Sequence, residues 1–168
     1  LALALQNAPR SLTVSGSDLA IEALQNRLAA EQIPCRLLRT SHAFHSHMME
    51  PALESYIRTL SSIDLQRPTI PFASNVTGDW ITTDEATDPS YWARQLREPV
   101  RFCDGLAALL KEADYALLEV GPGQTLSAFA RANPARKAEQ AILPSLARAE
   151  GEQTEQGLLL DTLGHLWL

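Results

Sequence analysis

The clearest hydrophobic patterns in the chain are helical. Ile21, Leu24 and Leu28 recur at three- and four-residue intervals, which predicts a helix over Leu19 to Gln32, opened by Ser17-Asp18. Leu53, Tyr56, Ile57 and Leu60 repeat the pattern behind Pro51, a residue suited to a first helical turn. Between and around these helices lie short β-rich runs. They are Leu12 to Ser15 ahead of Gly16, Cys35 to Arg39 after Pro34, and Pro68 to Ser74, whose prolines suit an edge strand. The resulting order is β-α-β-α-β, the pattern of a small α+β sandwich.

From Asn75-Val76-Thr77-Gly78 onward the pattern changes. A turn-rich connection carries Trp80, Asp84 and Asp88-Pro89, followed by a helix around Tyr91 to Leu96 that Pro99 ends. Phe102 to Glu112 is strongly helical, with Leu106, Leu109 and Leu110 on one side. Tyr115 to Val120 is nearly continuous in apolar residues, which predicts a strand of a parallel sheet buried on both faces. Gly121-Pro122-Gly123 turns it into a helix from Gln124 to Ala132, and Ala141 to Pro144 predicts one more short strand. Arg148 to Gln156 reads as a polar linker before an amphipathic helix, Gly157 to Leu168.

At 168 residues with 45% apolar content, the chain can bury a domain-sized core. A net charge of −6 gives no basic footprint and argues against nucleic acid as a partner. No apolar run reaches the roughly 18 residues of a membrane span, and no signal-peptide pattern is present. Cys35 and Cys103 have apolar neighbours and no CxxC spacing, which points to buried reduced thiols and a cytoplasmic location. The chain opens inside an apolar run without Met and stops on Leu166-Trp167-Leu168, so it is expected to be a piece of a longer polypeptide.

Candidate chemistry concentrates in Ser41-His42-Ala43-Phe44-His45-Ser46-His47, which holds three of the four histidines. Imidazole is the side chain best suited to proton transfer near neutral pH. His42, His45, His47 and Glu50 could instead hold a metal, but the spacing is not HExxH and no cysteine joins them. For a single histidine the plain alternative is a hydrogen-bonded packing residue. No serine lies in a GxSxG context and neither cysteine has a polarising neighbour, so a base at His45 would need a nucleophile from outside the chain. Gly121-Pro122-Gly123-Gln124 resembles a phosphate-binding turn but lacks GxGxxG and a P-loop lysine, which favours a plain strand-to-helix turn. Asn7 and Asn75 are expected as turn formers, and Trp80, Tyr91 and Trp92 as core or junction residues.

Taken in order, five motifs resemble the acyltransferase domains of modular polyketide synthases. They are His42-Ala43-Phe44-His45-Ser46, Ser74-Asn75-Val76-Thr77-Gly78, Tyr91-Trp92, Arg97-Glu98-Pro99-Val100-Arg101-Phe102 and Glu119-Val120-Gly121-Pro122-Gly123. Asn7-Ala8-Pro9-Arg10-Ser11 with Val14-Ser15-Gly16 matches the family's segment ahead of its first helix. The resemblance covers nearly the whole chain. It implies an α/β fold: residues 1–10 connect from a large subdomain, 11–74 form a ferredoxin-like small subdomain, 75–146 form the C-terminal part of an α/β-hydrolase-like large subdomain, and 147–168 are a following linker with a helix.

In that family a GHSxG serine attacks an acyl-CoA thioester and a histidine activates it. The acyl group then passes to the phosphopantetheine thiol of an acyl carrier protein. The resemblance makes His45 the catalytic histidine and assigns the carbonyl that orients it to Gln95. It gives Asn7 a supporting place near the active site. His42 and Phe44 become selectivity elements, since His-Ala-Phe-His accompanies malonyl-CoA and Tyr-Ala-Ser-His accompanies methylmalonyl-CoA. It implies no cofactor or metal, with malonyl-CoA and the loaded carrier as substrates and adjacent ketosynthase and other synthase domains as partners. The family's serine, oxyanion-hole glutamine and carboxylate-binding arginine would all precede residue 1, so the isolated fragment is expected to be inactive. A non-catalytic alternative is a docking module for a carrier protein or a neighbouring synthase domain, with Arg36, Arg39 and Arg58 meeting an acidic carrier.

Overall fold

The structure, a computed structural model, describes residues 1–147 and 154–167. Contacts divide the chain into two compact units, Leu1–Gly105 and Leu106–Leu168.

The first unit opens with β1 (Ala2–Ala8) and β2 (Ser11–Ser15), an antiparallel pair closed by Ala8 opposite Ser11. Pro9 pre-sets the backbone of the intervening tight turn. Asn7 therefore lies inside a strand, where it is buried, rather than in a turn. On its other edge β1 meets Val100: the Gln6 N–H donates to the Val100 carbonyl at 2.8 Å, and the Val100 N–H to the Ala4 carbonyl at 2.8 Å.

The predicted helices are present. Helix α1 (Asp18–Ala30) follows Ser17, although the Ser17 side chain makes no cap bond. It ends in a Schellman turn: Gln32 takes φ 56°, its N–H donates to the Ala29 carbonyl, and the Ile33 N–H donates to the Leu28 carbonyl. A 3-10 turn, His47–Met49, leads into α2 (Glu50–Ser61). In both helices the predicted apolar stripes are half-buried, except for the exposed Tyr56, and their other faces are exposed. The predicted strands behave differently. Cys35 to Arg39 and Pro68 to Ser74 belong to no ladder, and of these residues only Ala73 bridges, to Trp80. Prolines 34, 68 and 71 cannot donate, and β2 has found its partner in β1 instead. Cys35 is accordingly exposed, correcting its expected burial, while Cys103 is buried.

The Asn75-Val76-Thr77-Gly78 motif is a self-satisfied turn. Ser74 Oγ accepts from the Val76 and Thr77 N–H groups at 3.0 and 3.1 Å and pairs with the Tyr91 hydroxyl. Gly78 sits at φ 72°, where an added Cβ would lie 2.7 Å from Asp104 Cβ, so a side chain is excluded twice over. Burial pushes the Tyr91 phenol above its usual range, outweighing the Ser74 bond that favours the ionised form.

Next come α3 (Thr83–Thr87), with a capping box between Thr82 and Glu85, and α4 (Pro89–Arg97), capped by the Asp88 carboxylate on the Ser90 N–H at 2.8 Å. Helix α5 (Phe102–Glu112) begins in the first unit and continues into the second. Val76, Ala86, Tyr91, Ala93 and Cys103 are among the buried apolar residues of the first unit.

In the second unit β3 (Leu117–Pro122) pairs in parallel with β4 (Ile142–Leu146), joined through α6 (Thr125–Arg131). The parallel pairing matches expectation, but burial on both faces does not: β3 alternates between half-buried and exposed, with Val120 84% exposed. Helix α7 (Glu155–Trp167) packs on β4 through Leu158 and Thr162, whose hydroxyl donates to the Pro144 carbonyl at 2.7 Å. Most of the expected linker, Arg148 to Gln156, lies outside the described residues.

Candidate active site

The site is built where the loop after α1 approaches the end of α4. Helix α4 has to stop at Arg97, because Pro99 carries no N–H and disfavours helical geometry in the residue before it. Glu98 duly turns to φ −82°, ψ 159°, and its carbonyl leaves the helical direction. His45 Nδ1 lies 2.9 Å from that carbonyl oxygen. A carbonyl can only accept, so the bond places the proton on Nδ1 and leaves Nε2 with its lone pair in the neutral ring. Nε2 has no hydrogen-bond partner among the described residues. The ring is thus oriented at one nitrogen and available at the other, which suits a proton acceptor.

His45 itself is held at φ 57°, a left-handed conformation that costs a side-chain-bearing residue roughly 1–3 kcal/mol. Its neighbour Ser46 holds it there. Ser46 is fully buried; its hydroxyl donates to the Ala43 carbonyl at 2.6 Å and accepts from the Met48 N–H at 3.2 Å, capping the 3-10 turn. The loop is therefore pinned by a serine, leaving the imidazole to do something else.

The carbonyl that meets His45 belongs to Glu98, which corrects the assignment of that role to Gln95. Gln95 lies inside α4, and although Pro99 leaves its carbonyl without an i+4 donor, the oxygen that His45 Nδ1 meets is that of Glu98. Reading Pro99 as the helix stop and the residue before it as the outlying carbonyl would have located Glu98 from the sequence. The Glu98 carboxylate is held separately by Arg94, at 2.8 and 3.3 Å. Ser46, Glu98 and the Arg97–Glu50 ion pair at 3.0 Å are the site features that sequence patterns did not single out.

The remaining candidates divide. His42 and Phe44 are both exposed and touch each other, with ring centroids 5.8 Å apart and a 58° tilt, and His42 Nδ1 lies 2.9 Å from Ser41 Oγ. His47 is exposed in the 3-10 turn. Asn7 is buried in β1, next to Gln6, whose N–H is bonded to Val100. Among the described residues no three His, Cys, Asp or Glu side chains converge as metal ligands, and Glu50 is engaged by Arg97. Burial pushes the Cys103 thiol up, with Asp104 adding to it, the opposite of what a thiolate nucleophile needs.

The Gly121-Pro122-Gly123 turn is not open to a phosphate. The α6 N–H groups that would face one are taken by Glu119, whose carboxylate accepts from Leu126 at 3.0 Å and Ser127 at 2.7 Å. Arg58, considered for docking, is paired with Glu54 at 2.9 Å. Among the described residues no helix is long and apolar enough to cross a membrane.

The family model for the acyl transferase domain matches residues 1–165. The chain belongs to this acyltransferase family. A phenolphthiocerol/phthiocerol polyketide synthase of Mycobacterium tuberculosis (strain CDC 1551 / Oshkosh) is 34% identical over 165 residues, which span 98% of this chain and 11% of the synthase. Among solved structures, the acyltransferase domain of SpnD in complex with 2-(pent-4-yn-1-yl)malonyl is 37% identical, with a TM-score of 0.94 over 99% of this chain and 40% of its own. The acyltransferase domain from the second module of the salinomycin polyketide synthase is 36% identical, with a TM-score of 0.87 over 99% of this chain and 38% of its own. The acyltransferase chain thus corresponds to less than half of each of these relatives.

Proposed function

We propose that this acyltransferase chain supplies the proton-transfer half of a polyketide synthase active site. That site would load a malonyl unit from CoA onto an acyl carrier protein. The observation that carries the reading is the His45 Nδ1 bond to the Glu98 carbonyl, with Nε2 unengaged among the described residues. A serine supplied by a part of the domain outside this chain would be the nucleophile. As its Oγ bonds to the thioester carbon, its proton passes to His45 Nε2. The C–S bond then breaks and the same nitrogen returns the proton to the departing CoA thiolate. The second half repeats the steps with the carrier's phosphopantetheine thiol as attacking group and the serine as leaving group. A carbonyl in place of a carboxylate orients the ring without adding a fixed charge.

Malonyl selection rests on Phe44 and His42. Their mutual ring contact, in the same loop as His45, supports a role in crowding an α-methyl branch. The SpnD domain was solved with a malonyl group that carries a pentynyl chain on its α carbon, which supports a malonyl-derived acyl unit in general and not the exclusion of an α branch. On this reading residues 11–74 belong to a ferredoxin-like subdomain and 75–146 to a hydrolase-like one. Neighbouring synthase domains and the carrier are then its partners, and the 168-residue chain alone is inactive.

The test is His45→Ala in an active acyltransferase domain that contains this chain, with loading of the carrier followed by mass spectrometry. Loading should fall about a thousandfold, the scale of a lost general base. Loading at the unaltered rate would overturn the proposal. The 168-residue chain given malonyl-CoA and carrier should load nothing.

A further inference from the structure

The bond between His45 and Glu98 joins residues 53 positions apart in sequence, and neither end lies in a regular ladder. His45 is in a left-handed loop, and Glu98 is the turned-out residue after α4. The separation of the two helices that follow and precede them therefore governs the position of the imidazole. Besides the packing of α2 against α4, one ion pair ties their ends together: Arg97 Nε donates to Glu50 Oε1 at 3.0 Å.

We propose that the Glu50–Arg97 ion pair is a positioning device for His45, an inference that rests on reading His45 as the base. Arg97 is the last residue of α4 and adjoins Glu98. Glu50 is the first residue of α2 and is coupled to His45 through a short rigid path. In that path Ser46 is buried and bonded, and the Met49 N–H donates to the Ser46 carbonyl at 3.0 Å. The ion pair thus runs alongside the imidazole–carbonyl bond, and two ties between the same segments restrict rotation as well as distance. The charges also stand where each helix favours them, the acid in the first turn of α2 and the base in the last turn of α4.

Arg97 is only 33% exposed along its side chain, while Glu50 is 57% exposed, so the pair is partly wet and contributes little to folding. Its value is geometric. Arg94 cannot substitute, because it sits on α4 itself and holds the Glu98 carboxylate within one helix end.

The experiment uses an active acyltransferase domain containing this chain, with Glu50→Gln, Arg97→Gln, Arg97→Lys, the charge exchange Glu50→Arg/Arg97→Glu, and His45→Ala alongside. Misplacement of a catalytic group by a fraction of an ångström should lower kcat about tenfold in the two Gln variants, with KM for the acyl-CoA changed by less than about twofold. Thermal unfolding should hardly move. Arg97→Lys should fall between, and the charge exchange should recover part of the loss. The bonded Nδ1–H of His45, followed by long-range proton–nitrogen NMR of the ring, should weaken in the Gln variants and return with the exchange. Full kcat in the Gln variants, or an exchange no better than either single change, overturns the clamp. If His45→Ala also loads normally, the reading of His45 as base fails instead; if His45→Ala is dead while Glu50→Gln is unaffected, only the clamp fails.

Discussion

The histidine loop and the Gly121-Pro122-Gly123 turn are built on one plan and reach opposite ends. Each carries a positive φ, at His45 in the first and at Gly121 and Gly123 in the second, and each opens into a helical segment. Each has a side-chain oxygen accepting from the backbone N–H groups that such a segment leaves unpaired. In the histidine loop that oxygen belongs to Ser46, a residue separate from the one that could do chemistry. In the glycine turn it belongs to Glu119, the only acid there, and its carboxylate is consumed. Left-handed backbone at glycine costs little, whereas at histidine the surrounding bonds must enforce it. His45 thus has its left-handed backbone enforced by neighbouring bonds, whereas Gly121 and Gly123 adopt theirs at little cost.

The largest effect should separate the two loops by activity. His45→Ala should reduce carrier loading about a thousandfold, while Glu119→Gln, measured in the same assay, should cost less than tenfold. A comparable loss from both would break the distinction.

Ser46→Ala should come next. It removes two hydrogen bonds at a fully buried position and leaves the Ala43 carbonyl and the Met48 N–H without that partner. A loss of about 2 kcal/mol in urea unfolding is expected, accompanied by slower loading. Unchanged activity at reduced stability would detach the loop's pinning from its chemistry.

Phe44→Ser combined with His42→Tyr should move selection between malonyl-CoA and methylmalonyl-CoA by about tenfold, the scale of a methyl-sized difference. Competition between the two esters measures it, and a constant ratio would remove both residues from selectivity.

The smallest effect belongs to the glycine turn. Burial alone would raise the Glu119 pKa, but hydrogen bonds to Ser127, Leu126 and Thr125 at the start of α6 outweigh it and hold the carboxyl below its usual range. The Ser127 hydroxyl is close enough to contribute electrostatically, although it has no partner of good hydrogen-bond geometry. A depressed pKa means that the carboxylate stabilises the fold fully above the unfolded value of roughly 4.3 and loses that contribution as pH falls through the lower folded value. Glu119→Gln should therefore cost about 1 kcal/mol at neutral pH, and the gap to the unaltered chain should close under acid. A gap that persists at pH 2 would mean that packing, not charge, caps α6.

Helices were legible in the sequence because their signals are local. The stripe Ile21, Leu24, Leu28 and the stop at Pro99 each lie within a few residues of what they determine. Strands were less so. Cys35 to Arg39 has the composition of one and finds no strand partner among the described residues, whereas Ala2 to Ala8, expected only as a connection, pairs with β2 on one edge and Val100 on the other. Pairing is a property of two segments, and composition describes one. Gly78 was likewise visible as part of a motif, but its reason, the closeness of Asp104, lay 26 residues away.

By itself the sequence determined which loop carries the imidazoles, where the helices run and which family the motifs resemble. Tertiary structure decided the rest: that the carbonyl meeting His45 is that of Glu98 and not Gln95, that Ser46 ties its loop to the Ala43 carbonyl, and that Glu50 pairs with Arg97. Periodicity is written within one turn of helix. A hydrogen bond between residues 53 apart is written only when two segments, each folded by its own local rules, are brought face to face.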